Sequence, residues 1–214
     1  MVIGAKHFLL LGGELCLDFT NTVNRHSVEQ PIARLASYTD LAQWSQQAGI
    51  LTEAEADRLV REGRKREQEA AAVLEKAWLL QNAIYRIFSA FIEGESPRAQ
   101  DMQALNDALS QALARQRIVA AAEHFEWTWA SAGDSLDRML GPILRSAADL
   151  LTSEKLARVK KCGGCNWLFL DASKNGSRRW CMMSVCGNRA KARRHYDQVR
   201  SARGKQQRKG RAQR

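Results

Sequence analysis

The sequence predicts a mostly helical α+β protein in two parts: an N-terminal helical domain with a small β-hairpin or sheet, and a small cysteine-rich module that ends in a basic helix. Three observations predict this fold class. Apolar residues recur at steps of three and four through much of residues 39–151, as amphipathic helices require. Residues 117–130 change to the two-residue alternation of a strand. Four of the five cysteines fall between residues 162 and 186.

The first 50 residues predict two short elements. Residues 8–19 contain a Gly-Gly pair, which predicts two short strands around a turn or, alternatively, a second half that opens a helix. Thr39 or Asp40 is predicted to cap the next helix, because both residue types are favoured at that position. This helix is predicted to run to about Ala48 and to end at Gly49.

The longest predicted helical region begins at the capping box formed by Thr52 and Glu55 and ends at Gly94. Its apolar stripe consists of Leu80, Ala83, Ile84, Ile87, Phe88 and Phe91. A further helix is predicted from about Arg98 to Ala114. Its buried side is predicted to consist of Met102, Leu105, Leu109, Ala112 and Leu113.

A hairpin is predicted next, because Phe125, Trp127 and Trp129 alternate as they would in a half-buried strand. The last helix of the N-terminal part is predicted to be capped by Asp134. Pro142 falls inside its apolar pattern, which predicts a kink or a fresh start of the helix at that point.

Charge is distributed unevenly along the chain, whose net charge is +10. Residues 155–214 contain 18 Lys and Arg against two acidic residues, whereas residues 1–154 contain 15 against 21. A strongly basic end joined to a cysteine cluster is typical of a contact with DNA or RNA, and a solubilising tail is the alternative. Residues 201–214 have no apolar side chain larger than alanine, so we expect this segment to be disordered when unbound.

Composition argues against a membrane or secreted protein. No apolar run approaches the roughly 20 residues that span a bilayer, and the N-terminus lacks the segments of a signal peptide. We therefore expect a cytoplasmic protein, in which clustered thiols bind metal more often than they form disulfides.

The cysteine cluster has the spacing of a tetrahedral zinc site. Two residues separate Cys162 from Cys165, four separate Cys181 from Cys186, and fifteen join the two pairs. Four thiolates leave no coordination position for a substrate, so we predict one structural Zn²⁺. An iron site with the same ligands and a thiol–disulfide switch are the alternatives. His195 is an alternative ligand, although the four cysteines already close the coordination shell.

The chain after the fourth cysteine predicts a cationic helix. Basic residues recur at steps of three and four along residues 189–200, so one helical face is positive, with Tyr196 as its aromatic member. Asp197 is the one acid in this stretch, and such a helix repels itself unless a polyanion neutralises it. The predicted DNA contacts are Arg178, Arg179, Arg189, Lys191, Arg193, Arg194 and Arg200.

The run C-x2-C-x3-F-x-D-x-S-x-N-x-S-R-R-W-C-x-M-x2-C-G-N-R-x-K, from Cys162 to Lys191, resembles the CGNR-type zinc finger of bacterial proteins. Residues 15–22, with the sequence LCLDFTNT, resemble the ABATE domain that precedes this finger. We expect the finger to be treble-clef-like or of the knuckle type. The resemblance implies a stress-linked transcription regulator whose N-terminal domain binds an unknown ligand and whose finger binds DNA.

A polar cluster near the N-terminus is the candidate ligand site. Asp18, Asn21 and Arg25 share a face if this segment begins a helix, and they suit a small polar or anionic ligand. The alternative is that Asp18 caps the helix and pairs with Arg25. We find no nucleophile–base pair with a supporting motif and no phosphate loop in the sequence, so no enzymatic activity is predicted.

The predicted organisation is an ABATE-like ligand-sensing domain over residues 1–151, a four-cysteine CGNR finger over 152–200 and a basic tail over 201–214. The predicted function is zinc-dependent, DNA-binding regulation of transcription. An RNA-associated finger and a ligand-binding or scaffold protein whose basic end docks on an acidic partner are the alternatives. One finger has a small footprint on DNA, so we also expect a homodimer formed through the N-terminal domain.

Overall fold

The computed structural model describes residues 7–24, 32–130, 135–198 and 200. Its α-helices are α1 (Leu15–Thr20), α2 (Tyr38–Gln47), α3 (Glu53–Lys65), α4 (Glu67–Glu93), α5 (Ala99–Leu113), α6 (Leu140–Leu151) and α7 (residues 188–198). Its strands form three antiparallel pairs: β1 (Val23–Asn24) with β2 (Ile32–Ala33), β3 (Gln116–Ala120) with β4 (Phe125–Trp129), and β5 (Val159–Lys161) with β6 (Leu168–Leu170). The predicted fold class is confirmed.

Two capping boxes fix the starts of α2 and α3. The Ser37 hydroxyl accepts a hydrogen bond from the Asp40 amide, and the Asp40 carboxylate accepts one from the Ser37 amide. Asp40 therefore lies three residues inside the cap, and the prediction of Thr39 or Asp40 as the cap itself is wrong. Thr52 and Glu55 form the second box as predicted.

Helix α4 provides the central wall of the core. It starts after a break at Arg66 and ends at Gly94, whose φ of 73° places it in the left-handed region that glycine tolerates. Its predicted apolar stripe is buried from Leu80 to Phe88, whereas Phe91 is exposed. Helices α1, α2, α5 and α6 contribute the other walls of the same core.

Helix α1 occupies the middle of this core, in contact with both α4 and α6. Cys16, Leu17 and Phe19 are fully buried there, and the Phe19 ring lies 5.3 Å from the ring of Trp44. For residues 8–19, the alternative in which the second half opens a helix is the correct one. Within the described residues, the segment before α1 belongs to none of the sheets.

The hairpin of β3 and β4 forms as predicted, but it is less buried than predicted. Trp129, at its base, packs on the core, whereas Phe125 and Trp127 are exposed. The prediction of a half-buried strand is therefore wrong for these two residues. Alternation shows which side chains share a face, but it does not show whether another element covers that face.

Helix α6 starts at Leu140, which puts Pro142 in its first turn, where a missing backbone N–H is tolerated. The predicted fresh start is thus observed, and the predicted cap Asp134 lies outside the described residues. A short 3₁₀ turn, Glu154–Arg158, leads into β5, and a π turn, Met183–Gly187, leads into α7. Across the described residues, none of the helices is both long and apolar enough to cross a membrane.

Candidate metal centre and nucleic-acid interface

Four thiols converge at the C-terminal end of the described chain. Cys162 and Cys165 lie in the turn between β5 and β6, Cys181 follows the loop after β6, and Cys186 lies in the π turn that precedes α7. Their sulfur atoms all lie within 4.8 Å of one another, and all four residues are buried. The two pairs that are close in sequence thus occupy one site.

The geometry of the four sulfur atoms fits a tetrahedral zinc ion. Zn–S bonds of about 2.3 Å at tetrahedral angles place sulfur atoms about 3.8 Å apart. The Sγ atoms of Cys181 and Cys186 are 3.7 Å apart, and those of Cys165 and Cys181 are 3.4 Å apart. Because four thiolates complete the shell, the site is a structural zinc site with no position for a substrate.

The backbone of the turn after Cys162 stabilises the negative charge of the thiolate. The backbone N–H of Gly164 donates to Cys162 Sγ over 3.5 Å, which is the kind of contact that stabilises a metal-bound thiolate. A Cβ atom at Gly164 would lie 3.1 Å from Cys186 Cβ, so the position has little space for a side chain.

Phe169 and Arg178 pack against the cysteine cluster, and Arg178 positions the third ligand, Cys181. Phe169 is fully buried in the small core formed with the four cysteines. The Arg178 guanidinium stacks 4.6 Å from the Phe169 ring centroid and donates to the carbonyl oxygens of Trp180 and Cys181. Arg178 therefore holds the backbone that positions Cys181.

Asp171 organises the loop between β6 and the third cysteine. Its buried carboxylate accepts hydrogen bonds from Lys160 Nζ at 2.8 Å, from the Ser173 hydroxyl at 2.6 Å and from the Arg178 amide at 2.9 Å. The Lys160 ammonium, with the Ser173 hydroxyl, holds the pKa of this carboxyl well below its usual range. The sequence did not single out Asp171, although its position in the CGNR-type run is a signal that could have done so.

Strand β6 joins the finger to the helical domain. The Asn21 amide donates to the Leu168 carbonyl over 2.8 Å and accepts from the Leu168 amide over 2.9 Å. The Trp167 indole donates to the Val23 carbonyl, and the Leu170 amide donates to the Gly12 carbonyl. Leu168 belongs to the core of the helical domain, whereas its neighbour Phe169 belongs to the metal-site core.

The predicted ligand residues Asp18 and Asn21 lie at this junction. The Asp18 carboxylate accepts from the Gly12 amide at 2.7 Å, and burial raises the pKa of Asp18 to about 6. Asn21 is 3% exposed, with its amide bonded to Leu168. Arg25, the third predicted residue, lies outside the described residues. The structure thus places Asp18 and Asn21 where they contact the segments that hold the finger.

Helix α7 is exposed on nearly all sides. Of the predicted DNA contacts, those on or beside the helix (Arg179, Arg189, Lys191, Arg193, Arg194 and Arg200) are all exposed. Among the ion pairs between described residues, none involves Lys191, Arg193 or Arg194. Arg179 lies 5.8 Å from the Trp180 ring centroid, and Tyr196 is 68% exposed. Arg178, in contrast, is half-buried within the finger.

A four-cysteine zinc finger with an exposed cationic helix, packed on a helical domain, defines a zinc-finger protein with an N-terminal helical domain. The family model of the ABATE domain, described as "Putative stress-induced transcription regulator", matches residues 13–154, and the model of the CGNR zinc finger matches residues 158–198. The chain belongs to the ABATE family and carries a CGNR finger. No curated protein matches it.

Proposed function

We propose that the protein regulates transcription by binding DNA through helix α7 and the loop before the third cysteine. The observation that supports this proposal is a cationic helix that is exposed on nearly all sides and anchored at a metal ligand. Residues 188–200 contain five basic residues and one acid. Phosphate groups would relieve the repulsion within this helix, and released counterions would drive the association.

The finger positions the proposed contacts without taking part in chemistry. Bound zinc would draw the four thiolates together and fix the π turn at Cys186. Because α7 follows this turn directly, Cys186 sets the direction in which Arg189 and Arg193 leave the finger. Arg179 extends the basic surface to the loop. Arg178 donates to the carbonyls of Trp180 and Cys181. Its remaining guanidinium N–H groups are the ones that we propose to contact DNA.

We further propose that the N-terminal domain transmits a ligand signal at the junction. Asp18 contacts Gly12, and Gly12 in turn accepts from Leu170 of β6. A polar ligand that donates to the Asp18 carboxylate in place of the Gly12 amide, or that competes for Asn21, would therefore act on the strand that supports the metal site. Arg25 stays a predicted member of this ligand site.

The test of DNA binding is selection from a random duplex pool with zinc-loaded protein, followed by a salt titration on the enriched duplex. We expect log K to fall linearly with log salt, with a slope of about −0.9 per phosphate contacted. The variant Arg193→Ala is expected to reduce this slope by about 1 unit. The matched control is Arg61→Ala, since Arg61 is exposed on α3 away from the finger. Absence of salt-dependent retention on any duplex would contradict the proposal.

One observation favours RNA as the second candidate. Tyr196 is 68% exposed on the cationic helix, so its ring is available to stack on an unpaired base. Trp167 is less available, because it is half-buried and its indole N–H donates to the Val23 carbonyl. Competition among duplex DNA, duplex RNA and single strands decides between the two candidates. Preference for single-stranded RNA, with loss of that preference in Tyr196→Ala, would favour the second.

A further inference from the structure

The β3–β4 hairpin exposes an apolar face that the proposed DNA contact does not use. Ile118 lies directly opposite Trp127, and Ala120 lies opposite Phe125. Residues opposite each other in an antiparallel pair point to the same side of the sheet, so these four side chains form one continuous face. Phe125 is 76% exposed, and Ile118 and Trp127 are each 60% exposed.

This face continues the core outward. At the base of the hairpin, Trp129 packs on the helical core, with its ring close to Gly141 of α6. Beyond Trp129, the side chains of Trp127 and Phe125 stay mostly exposed, although the Arg145 side chain of α6 lies over the Trp127 ring. An isolated two-stranded hairpin is marginally stable in water, and exposed aromatic patches of this kind mark interaction surfaces.

We propose that this face is the interface of a homodimer in which the hairpins of two copies pack face to face about a twofold axis. The charge pattern favours a second copy as the occupant. A twofold interface brings the same residues of both copies together, so charges on it would repel, and the four side chains of this face carry none. The charged members of the two strands, Arg117 and Glu126, pair in register with Thr128 and Val119 on the opposite face, and Glu123 lies in the connecting turn.

A cation beside the face, Arg145, is paired with an acid of its own chain. The Arg145 guanidinium lies 6.0 Å from the centroid of the Trp127 ring and donates to the Asp149 carboxylate at 2.8 Å. Arg145 can therefore lie at the edge of the dimer interface, because the Arg145 of the second copy is likewise paired with its own Asp149. A strongly charged partner, in contrast, would have to bury its charges against Phe125, Trp127 and Ile118 without a counter-charge.

The area of the face indicates how strong the dimer is. Aromatic side chains offer about 150–250 Å² each, so the exposed parts of Phe125 and Trp127, together with Ile118, supply on the order of 400 Å² per copy. The pair would bury roughly 800 Å², below the roughly 1,200 Å² of stable complexes. We therefore expect a reversible dimer that forms at micromolar or higher concentration. Two fingers on one DNA molecule would strengthen it through effective concentration.

The test uses the full chain, loaded with zinc and free of nucleic acid. Sedimentation velocity across a concentration series is measured for the wild type, for Ile118→Arg and for Val119→Arg. Ile118 and Val119 are adjacent, exposed, β-branched residues of β3 that point to opposite faces of the hairpin. Val119→Arg is thus a matched control for charge, size and strand propensity, and circular dichroism checks that both variants fold.

We expect the wild type and Val119→Arg to associate alike, and the dissociation constant of Ile118→Arg to rise by about tenfold or more. Equal association of the two variants would overturn the proposal, because the dimer would then use another surface. A wild type that stays monomeric at every concentration would also overturn it and would assign the face to a different partner. Salt-dependent binding of the monomeric variant to short duplex DNA is measured separately, so failure of the dimer and failure of DNA binding remain distinguishable.

Discussion

At the scale of single residues, Asn21 shows how one side chain joins the helical domain to the finger. Its amide satisfies both backbone groups of Leu168, at a position where neither residue contacts solvent. Apolar burial alone would leave those two groups unpaired at an unfavourable free energy. Asn21 therefore fixes the register of β6 against the helical domain, which packing of Leu168 by itself would not specify.

Replacement of Asn21 by alanine should destabilise the protein by about 2–4 kcal/mol, because it leaves a buried N–H and a buried C=O without partners. Urea unfolding of zinc-loaded protein measures this loss. Gln103→Ala serves as the control, since Gln103 is an exposed amide on α5 and its loss should change the free energy of unfolding by less than about 0.5 kcal/mol. Equal effects of the two variants would show that the Leu168 bonds contribute nothing.

Asp18 should make the stability of the protein depend on pH. Burial raises its pKa from 3.8 to about 6 in the folded protein, so the folded state holds a proton that the unfolded state releases between these values. The stabilisation that protonated Asp18 gives to the folded state is fully present below about pH 4 and is lost as the pH rises through about 6. Asp18→Asn keeps an acceptor for the Gly12 amide and removes the titration.

We therefore expect Asp18→Asn to match the wild type near pH 4 and to exceed its free energy of unfolding by up to about 3 kcal/mol at pH 7. Urea titrations of both proteins across this range give the comparison, and the acid release of zinc affects both alike. Parallel profiles, with a constant difference at every pH, would show that Asp18 does not titrate in this window.

The residues that could be predicted from the sequence are those whose partners are close in sequence. The four cysteines lie within one short segment, and their spacing alone identified the metal site. Asn21 and Leu168 are 147 positions apart, and nothing local reveals that a polar residue after α1 bonds a strand of the finger. The position of Asp18 and Asn21 beside an apolar run predicts a polar site. Their bonds to Gly12 and Leu168 could not be predicted, because these contacts form only when the core is assembled.

At the scale of elements, the finger and the helical domain differ in what keeps them folded. The finger core consists of four cysteines and Phe169, with few apolar side chains around them. The helical core has the stripe of α4 and the apolar side chains of α1. A module with so small an apolar core depends on its metal, whereas the larger core does not.

Removal of zinc with a chelator should therefore expose the finger thiols selectively. We expect four of the five thiols to become rapidly reactive towards a thiol reagent, while Cys16 stays protected. Cys16 is fully buried in α1, and burial raises the pKa of its thiol to about 12, so it has almost no thiolate at neutral pH. Rapid reaction of all five thiols would indicate that the helical domain unfolds together with the finger.

Helix ends were predictable where a side chain caps them and less so elsewhere. The spacing of Thr52 and Glu55 predicts their capping box. The predicted cap of α2, Thr39 or Asp40, lies two or three residues after the observed cap, because Asp40 is the capping-box partner of Ser37. The hairpin was readable from alternation. Its exposure was not, since alternation shows a shared face and cannot show whether the fold covers that face.

At the scale of the whole molecule, the ranges matched by the two family models are not separate in space. Val159 and Leu168, which lie in the finger range, are buried in the core of the helical domain. Further bonds reinforce this contact: Tyr85 donates to the Asn166 carbonyl at 3.1 Å, and Lys155 pairs with Glu14 at 3.0 Å. The finger is thus packed on the helical domain through a shared core as well as through polar contacts.

A chain truncated after residue 154 should consequently be less stable than the full chain. It loses two buried aliphatic side chains, each worth about 1.5–3 kcal/mol, and leaves Asn21 unpaired. Thermal unfolding measures the difference, and a chain truncated after residue 200 is the control, because it keeps β5, β6 and the metal site. Equal melting temperatures for the 154-residue chain and the full chain would mean that the shared core contributes no stability.

Strand β6 contributes Leu168 to the helical core and Phe169 to the metal-site core. Zinc binding by the finger and the stability of the helical domain are therefore thermodynamically coupled through this strand. A molecule that binds the folded helical domain and stabilises the Asn21–Leu168 contact would raise the affinity of the finger for zinc, and zinc would raise the affinity for that molecule by the same factor. Under the proposed function, the supply of metal and the supply of ligand would therefore act together on the strength of DNA binding. Scarcity of one could be offset by abundance of the other.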